Sequence, residues 1–133
     1  MIQRALKIAE RSHLTKFKTG AVIVKDGKIL SEGWSHLGTL KRVQFYSVHA
    51  ELHAYLRAHH MNLDGAICYV ANIAWKSQNI TNGCPCICCA HLLREAGVEK
   101  VYHTTSKGVD VLDLSSLDDL DLKICRTGEG IKA

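Results

Sequence analysis

Two short stretches hold the residues best suited to do chemistry: His49-Ala50-Glu51 and, downstream, Pro85-Cys86-Ile87-Cys88-Cys89. Together they offer an imidazole, a carboxylate and a pair of thiols at Cys-x-x-Cys spacing. His49, Cys86 and Cys89 make one nitrogen and two sulfur ligands for Zn2+. Three protein ligands leave a fourth position open, which marks a catalytic centre, because structural zinc sites close all four. Bound zinc lowers the pKa of water from roughly 15.7 to about 7, so such a set activates water at neutral pH. Glu51 then reads as the general acid and base, since one carboxylate cannot easily be a ligand and a proton shuttle together. The competing reading closes Cys84, Cys86, Cys88 and Cys89 into a structural cluster and leaves Glu51 as an ordinary surface acid. The occurrence of both motifs in order favours the catalytic reading.

These residues make demands on the elements that carry them. Cys86 and Cys89 at i and i+3 share one face of a helix. Pro85 suits the start of that helix, and a helix N-terminus favours thiolate over thiol. His49 and Glu51 are more restrictive. Two steps along an α-helix turn roughly 200° about its axis, so the pair converges only at a helix entry, with the metal over the helix end. The apolar residues Ala54, Leu56 and Ala58 follow His49, as that placement requires.

Around this centre the patterning predicts an α/β fold. Ile2, Ala5, Leu6, Ile8 and Ala9 repeat at helical spacing. Residues 21–24 read as a buried strand, Asp26-Gly27 as a hairpin turn and residues 29–34 as the returning strand. Residues 37–47 are expected to be a loop, with Lys41 and Arg42 in it. A strand over 66–70 follows the Asp64-Gly65 turn, and residues 72–83 read as a second loop. The cysteine helix ends at Gly97, and residues 98–103 form a fourth strand, parallel to the third because a helix joins them. This order gives a mixed central sheet flanked by helices. Within residues 109–122 a short helix capped by Ser115 or Ser116 is expected, then a strand near 122–125.

The other histidines and cysteines have plainer readings. His53 is a packed residue, and His59 and His60 sit at a solvated helix end. Cys68 and Cys125 lie in apolar runs as core thiols. Cys88 points off the Cys86–Cys89 face, and Cys84 is the foremost rival ligand.

A chain of 133 residues reads as a single domain, 1–133, able to bury about two-thirds of its unfolded surface. A net charge of +4 suits an anionic small molecule and gives no reason to expect nucleic acid as partner. Six cysteines without a signal peptide point to a reducing compartment, with clustered thiols as metal ligands. No apolar run approaches a membrane span. A cytoplasmic location is the expectation.

His49-x-Glu51 and Pro85-Cys86-x-x-Cys89 carry a resemblance to the cytidine/deoxycytidylate deaminase superfamily, in the branch whose first zinc ligand is histidine. Gly20-Ala21-Val22-Ile23-Val24-Lys25-Asp26-Gly27-Lys28-Ile29 resembles that family's first hairpin. Ala96-Gly97-Val98 and Val101-Tyr102 resemble the segment after its cysteines, so the likeness spans most of residues 1–104. The chain looks most like the small deoxycytidylate deaminases of phages and large viruses. The resemblance implies a three-layer sandwich, a homo-oligomer, and conversion of deoxycytidylate or cytidylate to the uracil nucleotide with release of ammonia. Deamination of a free base, or of adenosine in RNA, stays open beside it, as does a zinc-stabilised scaffold without catalysis. It also implies substrate contacts at Ser35, Lys18 and Ala50. Ser35 stands where the family commonly has an asparagine, and a hydroxyl has one donor where an amide has two. Lys16, Lys18, Lys41 and Arg42 are the candidates for a substrate phosphate.

Overall fold

The β-branched run Val22-Ile23-Val24 forms the middle of strand β1 (Phe17–Lys25) in the computed structural model, which describes residues 1–39, 45–58 and 60–116. Lys41, Arg42, His59, Cys125 and the strand expected at 122–125 lie outside the described residues. Asp26 and Gly27, at φ 51° and 77°, make the tight turn into β2 (Lys28–Trp34). Both positive angles are those a two-residue hairpin needs to match strand twist. β5 (Ile67–Ala74) lies on the other side of β1, antiparallel to it, and β7 (Lys100–Thr105) runs parallel to β5. β8 (Gly108–Asp113) closes the order β2-β1-β5-β7-β8, with β6 (Asn79–Thr81) pairing to β5.

Helices cover both faces of this mixed sheet. α1 (Ile2–Ala9) packs Ala5 and Ile8 on Val22, Val24 and Ala71. α2 (Ala50–Arg57) and α3 (Ile87–Glu95) bury Ala50, Ala54, Ala90 and Leu93 against Ala21, Ile23, Cys68, Val70 and Val101. Covered on both sides, β1 is apolar without alternation, as a central strand should be.

Close helix approach is set by Gly33. A Cβ there would stand 2.3 Å from the Ala54 backbone nitrogen and 2.5 Å from the Ala50 carbonyl oxygen. Both obstacles are backbone, so α2 itself would have to move. Gly33→Ala is expected to lower stability by at least ~1–3 kcal/mol and to reduce zinc retention, because α2 presents His49 and Glu51. Denaturant titration and zinc analysis check this; a variant with wild-type values for both would show that α2 rides freely on β2.

Several expectations need correction. Residues 37–47 are no simple loop: β3 (His36–Thr39) and β4 (Phe45–Val48) pair as a separate antiparallel ribbon. β5 runs on to Ala74 because β1 continues to pair with it as far as Phe17, and the chain then folds back as β6. Backbone pairing there comes from neighbouring strands, which the polar side chains do not reveal. The fourth strand of the sequence reading begins at Lys100, two residues later than expected. Residues 108–113, for which no element was expected, form β8, with Val109 and Val111 alternating with Asp110 and Leu112 at the period of a strand. The helix expected after Ser115 or Ser116 falls on 117–122, outside the described residues. Leu114–Ser116 is a 3-10 turn whose Leu114 is fully buried. Among the described residues no helix is long and apolar enough to cross a membrane.

Candidate active site

Two helix N-termini meet beside the adjoining ends of β1 and β5. His49 is the N-cap of α2 and Cys86 the N-cap of α3, both with extended backbone (φ −72°, ψ 148° and φ −67°, ψ 165°). At a cap the chain has not begun to wind. His49 and Glu51 are therefore free of the helical rotation that would otherwise part them. Cys86 lies one position further out than a helix-interior reading places it, and its sulfur accepts the Cys89 N–H at 3.4 Å.

His49 Nδ1 is 3.5 Å from Cys86 Sγ and 3.5 Å from Cys89 Sγ, and the three atoms all lie within 4.8 Å of one another. Zinc bound tetrahedrally at ordinary lengths separates a nitrogen and a sulfur ligand by roughly 3.5 Å. The donors therefore fit zinc in number, chemistry and spacing. Partial positive charge at both helix starts favours the thiolate form that a metal needs. A hydrogen bond from Cys89 holds Cys86 down to about 3, helped by His49, and the same bond pushes Cys89 up. Metal binding requires both sulfurs as thiolates and so would release any proton that remains on them.

Glu51 lies in the first turn of α2, buried, on the wall of a cavity of about 680 Å³. Burial pushes its carboxyl up to about 7, while its own backbone N–H and His49 pull the other way. A carboxyl near neutrality both gives and takes protons readily.

A chain of hydrogen bonds builds the opposite wall. Thr19 Oγ1 donates to Asn72 Oδ1 at 2.8 Å, and Asn72 Nδ2 donates to Thr81 Oγ1 at 2.9 Å and to the Asn82 carbonyl at 3.2 Å. Thr104 Oγ1 donates to the Thr81 carbonyl and accepts the Asn72 N–H. These bonds tie β1, β5, β6 and β7 to the segment that leads into Cys86.

The three residues expected to touch substrate fall differently. Ala50 lines the cavity as the first residue of α2. Ser35 also lines it, but its Oγ accepts the Thr19 N–H and pairs with Ser12 Oγ, both at 3.0 Å. Lys18 is not on the cavity wall. Its ammonium donates to the Ser12 carbonyl and lies 3.9 Å from the centre of the Trp75 ring. Lys16, two residues earlier and exposed, lines the cavity instead. Side chains of successive strand residues point to opposite faces, so Lys16 and Lys18 share a parity and only the loop bend separates them.

Elsewhere, His53 packs edge-on to Trp34 and His36 at 4.5 Å and accepts the Trp34 N–H. Cys68 is a core thiol, Cys88 is exposed, and Cys84 lines the cavity outside the three-donor group. Phe17, Thr19, Asn72, Thr81 and Asn82 line the cavity without having been singled out from the sequence. The concentration of Asn and Thr over residues 72–82 was the available signal.

A sequence profile described as the cytidine and deoxycytidylate deaminase zinc-binding region matches residues 1–105. No curated protein matches the chain significantly. Among solved structures it is similar to the apo dCMP deaminase of cyanophage S-TIM5, at 26% identity and a TM-score of 0.61, covering 78% of this chain and 79% of that one. The same cyanophage enzyme in complex with dCMP and dUMP superposes at 22% identity and TM-score 0.64, over 91% and 85%. The cytidine deaminase of Burkholderia pseudomallei has the same fold at 21% identity and TM-score 0.63, over 86% and 90%.

Proposed function

This chain belongs to the cytidine and deoxycytidylate deaminase family, and from that premise we propose that it deaminates a cytosine nucleotide, deoxycytidylate or cytidylate, to the uracil nucleotide. Water is consumed and ammonia released. The observation that carries this reading is the placement of Glu51 on the cavity wall together with His49 and Cys86, two of the three clustered donors. When bound, zinc supplies water activated at neutral pH. The chain's own residues supply the rest. Glu51 takes a proton from the attacking water and places it on ring nitrogen N3. It then takes the second proton, from the hydroxyl newly bonded to C4, and passes it to the amine, which leaves as ammonia while C4–O becomes the uracil carbonyl. Its pKa near 7 suits transfer in both directions. Release of ammonia across a panel of deoxycytidylate, cytidylate, cytidine, cytosine and adenosine-containing RNA tests the reaction; silence on every cytosine substrate with zinc present removes the reading.

The choice of nucleotide over nucleoside is supported by Lys16 at the cavity and by the likeness to the cyanophage dCMP deaminase. A charge-assisted contact to phosphate contributes ~1.5–3 kcal/mol, about one to two decades in efficiency. Deoxycytidylate is therefore expected to outperform deoxycytidine by roughly tenfold or more, with the gap shrinking at high salt and in Lys16→Met. Equal efficiencies for the two substrates would make the free nucleoside the better assignment.

Self-association belongs to the same proposal. Phe17 at the cavity, with Trp75 and Ile80 on the adjoining β5–β6 hairpin, exposes apolar surface that a second copy would cover. Sedimentation at micromolar concentration is expected to show a homo-oligomer, and a monomer alone would refute it.

A further inference from the structure

The polar groups of the cavity wall leave one amide donor over. Thr19, Asn72 and Thr81 spend their side chains on one another, and Ser35 is bonded to the Thr19 N–H and Ser12. Asn82 differs. Its Oδ1 accepts the Cys84 N–H at 3.0 Å. A backbone N–H can only donate, so this bond fixes which end of the amide is oxygen and which is nitrogen. Nδ2 has no partner among the described residues. Every buried side-chain nitrogen or oxygen there has one, so this Nδ2 must be open to solvent, and Asn82 lines the cavity. The residue is also held through its carbonyl by Asn72 Nδ2. Anchored at both points, the amide is oriented before any ligand arrives, so little freedom remains to be lost on binding.

We propose that Asn82 is a substrate-positioning residue of this enzyme, its Nδ2 donating to an acceptor oxygen on the cytosine base or its sugar. This rests on the nucleotide reading above and adds a residue to it. The role differs from that of Thr19, Asn72 and Thr81, whose side chains bond to one another and hold the protein to itself. Asn82 would let this cavity read its ligand with an amide although Ser35 offers only an already bonded hydroxyl.

Asn82→Asp separates the proposal from a structural role, because a carboxylate still accepts the Cys84 N–H while the donor is gone. The variant is expected to keep its zinc and fold and to lose about tenfold or more in kcat/KM, on deoxycytidine as well as deoxycytidylate. A loss confined to the phosphorylated substrate would be charge repulsion and would overturn the proposal, as would unchanged efficiency on both. Dideoxycytidine, which lacks the 2′- and 3′-hydroxyls, and free cytosine place the acceptor: a loss that vanishes on dideoxycytidine assigns it to the 3′-hydroxyl, and one that persists on cytosine assigns it to the base. Titration with dUMP, followed by NMR, supplies a readout independent of turnover. The side-chain amide signal that is missing in Asn82→Asp should shift in the wild type. If neighbouring backbone signals move and this one does not, the nucleotide reading stands and the Asn82 assignment falls. If nothing moves and no cytosine substrate is turned over, both fall.

Discussion

Glu51→Gln is expected to retain zinc and fold while losing turnover by ~10²–10⁴-fold or more. That is the usual cost of removing a positioned acid or base, and here one carboxyl serves successive transfers to the ring nitrogen and the amine. Glutamine keeps the shape of the side chain on the cavity wall and removes only its capacity to carry a proton. Loss of zinc in the variant would instead make Glu51 a ligand. A second consequence follows from burial. The Glu51 carboxyl is raised from the ordinary 4.5 to about 7 in the folded chain, so folding favours its protonated form. Its contribution to stability is therefore fully present below about pH 4.5 and is lost as pH rises through 7. Over that window chelator-stripped wild type should lose up to ~3 kcal/mol from this group, and stripped Glu51→Gln should lack that slope. Denaturant titrations of both proteins at pH 5 and pH 8 measure the difference; parallel curves would show that the carboxyl is solvated in the stripped protein.

Cys86→Ala should reduce zinc from one per chain to almost none and abolish deamination. The sulfur has a double role, as donor beside His49 and Cys89 and as the cap that accepts the Cys89 N–H. Losing the cap alone costs ~0.5–2 kcal/mol and loosens the start of α3, where the remaining thiol sits. Cys88→Ala is the matched control, since Cys88 is exposed and outside the donor group. It should keep both metal and activity. Cys84→Ala distinguishes the remaining alternative: in a closed four-cysteine cluster its loss would strip the metal, whereas the His49, Cys86 and Cys89 set predicts retention. The absorption of the cobalt-substituted protein reads the same question directly, because a four-sulfur environment differs from one nitrogen and two sulfurs.

What the sequence determined by itself was the set of groups able to do chemistry and the local grammar around them. Residue type together with motif spacing and order points to His49, Glu51, Cys86 and Cys89. The Asp26-Gly27 turn, the apolar β1 and the Gly97 helix end (φ 100°) were legible because each rests on the conformational preference of one or two residues. Even the need for a helix entry at His49 follows from the rotation per residue, and α2 does begin at Ala50. The tertiary structure decided everything that depends on a partner distant in the chain. The cysteine helix begins one residue later than the spacing suggested, and the Cys86 sulfur becomes a cap because the Cys89 N–H needs an acceptor. The end of β5 is a strand because β1 lies alongside to pair with it, and β6 is one because β5 does, not because their own residues favour extension. Lys16 and Lys18 are indistinguishable as sequence, yet Ser12 and Trp75 engage Lys18 and leave Lys16 at the cavity. Ser35 and Asn82 divide in the same way: whether a polar group can meet a ligand depends on which hydrogen bonds the fold has already satisfied, and that accounting exists only once strands far apart in sequence have been brought together.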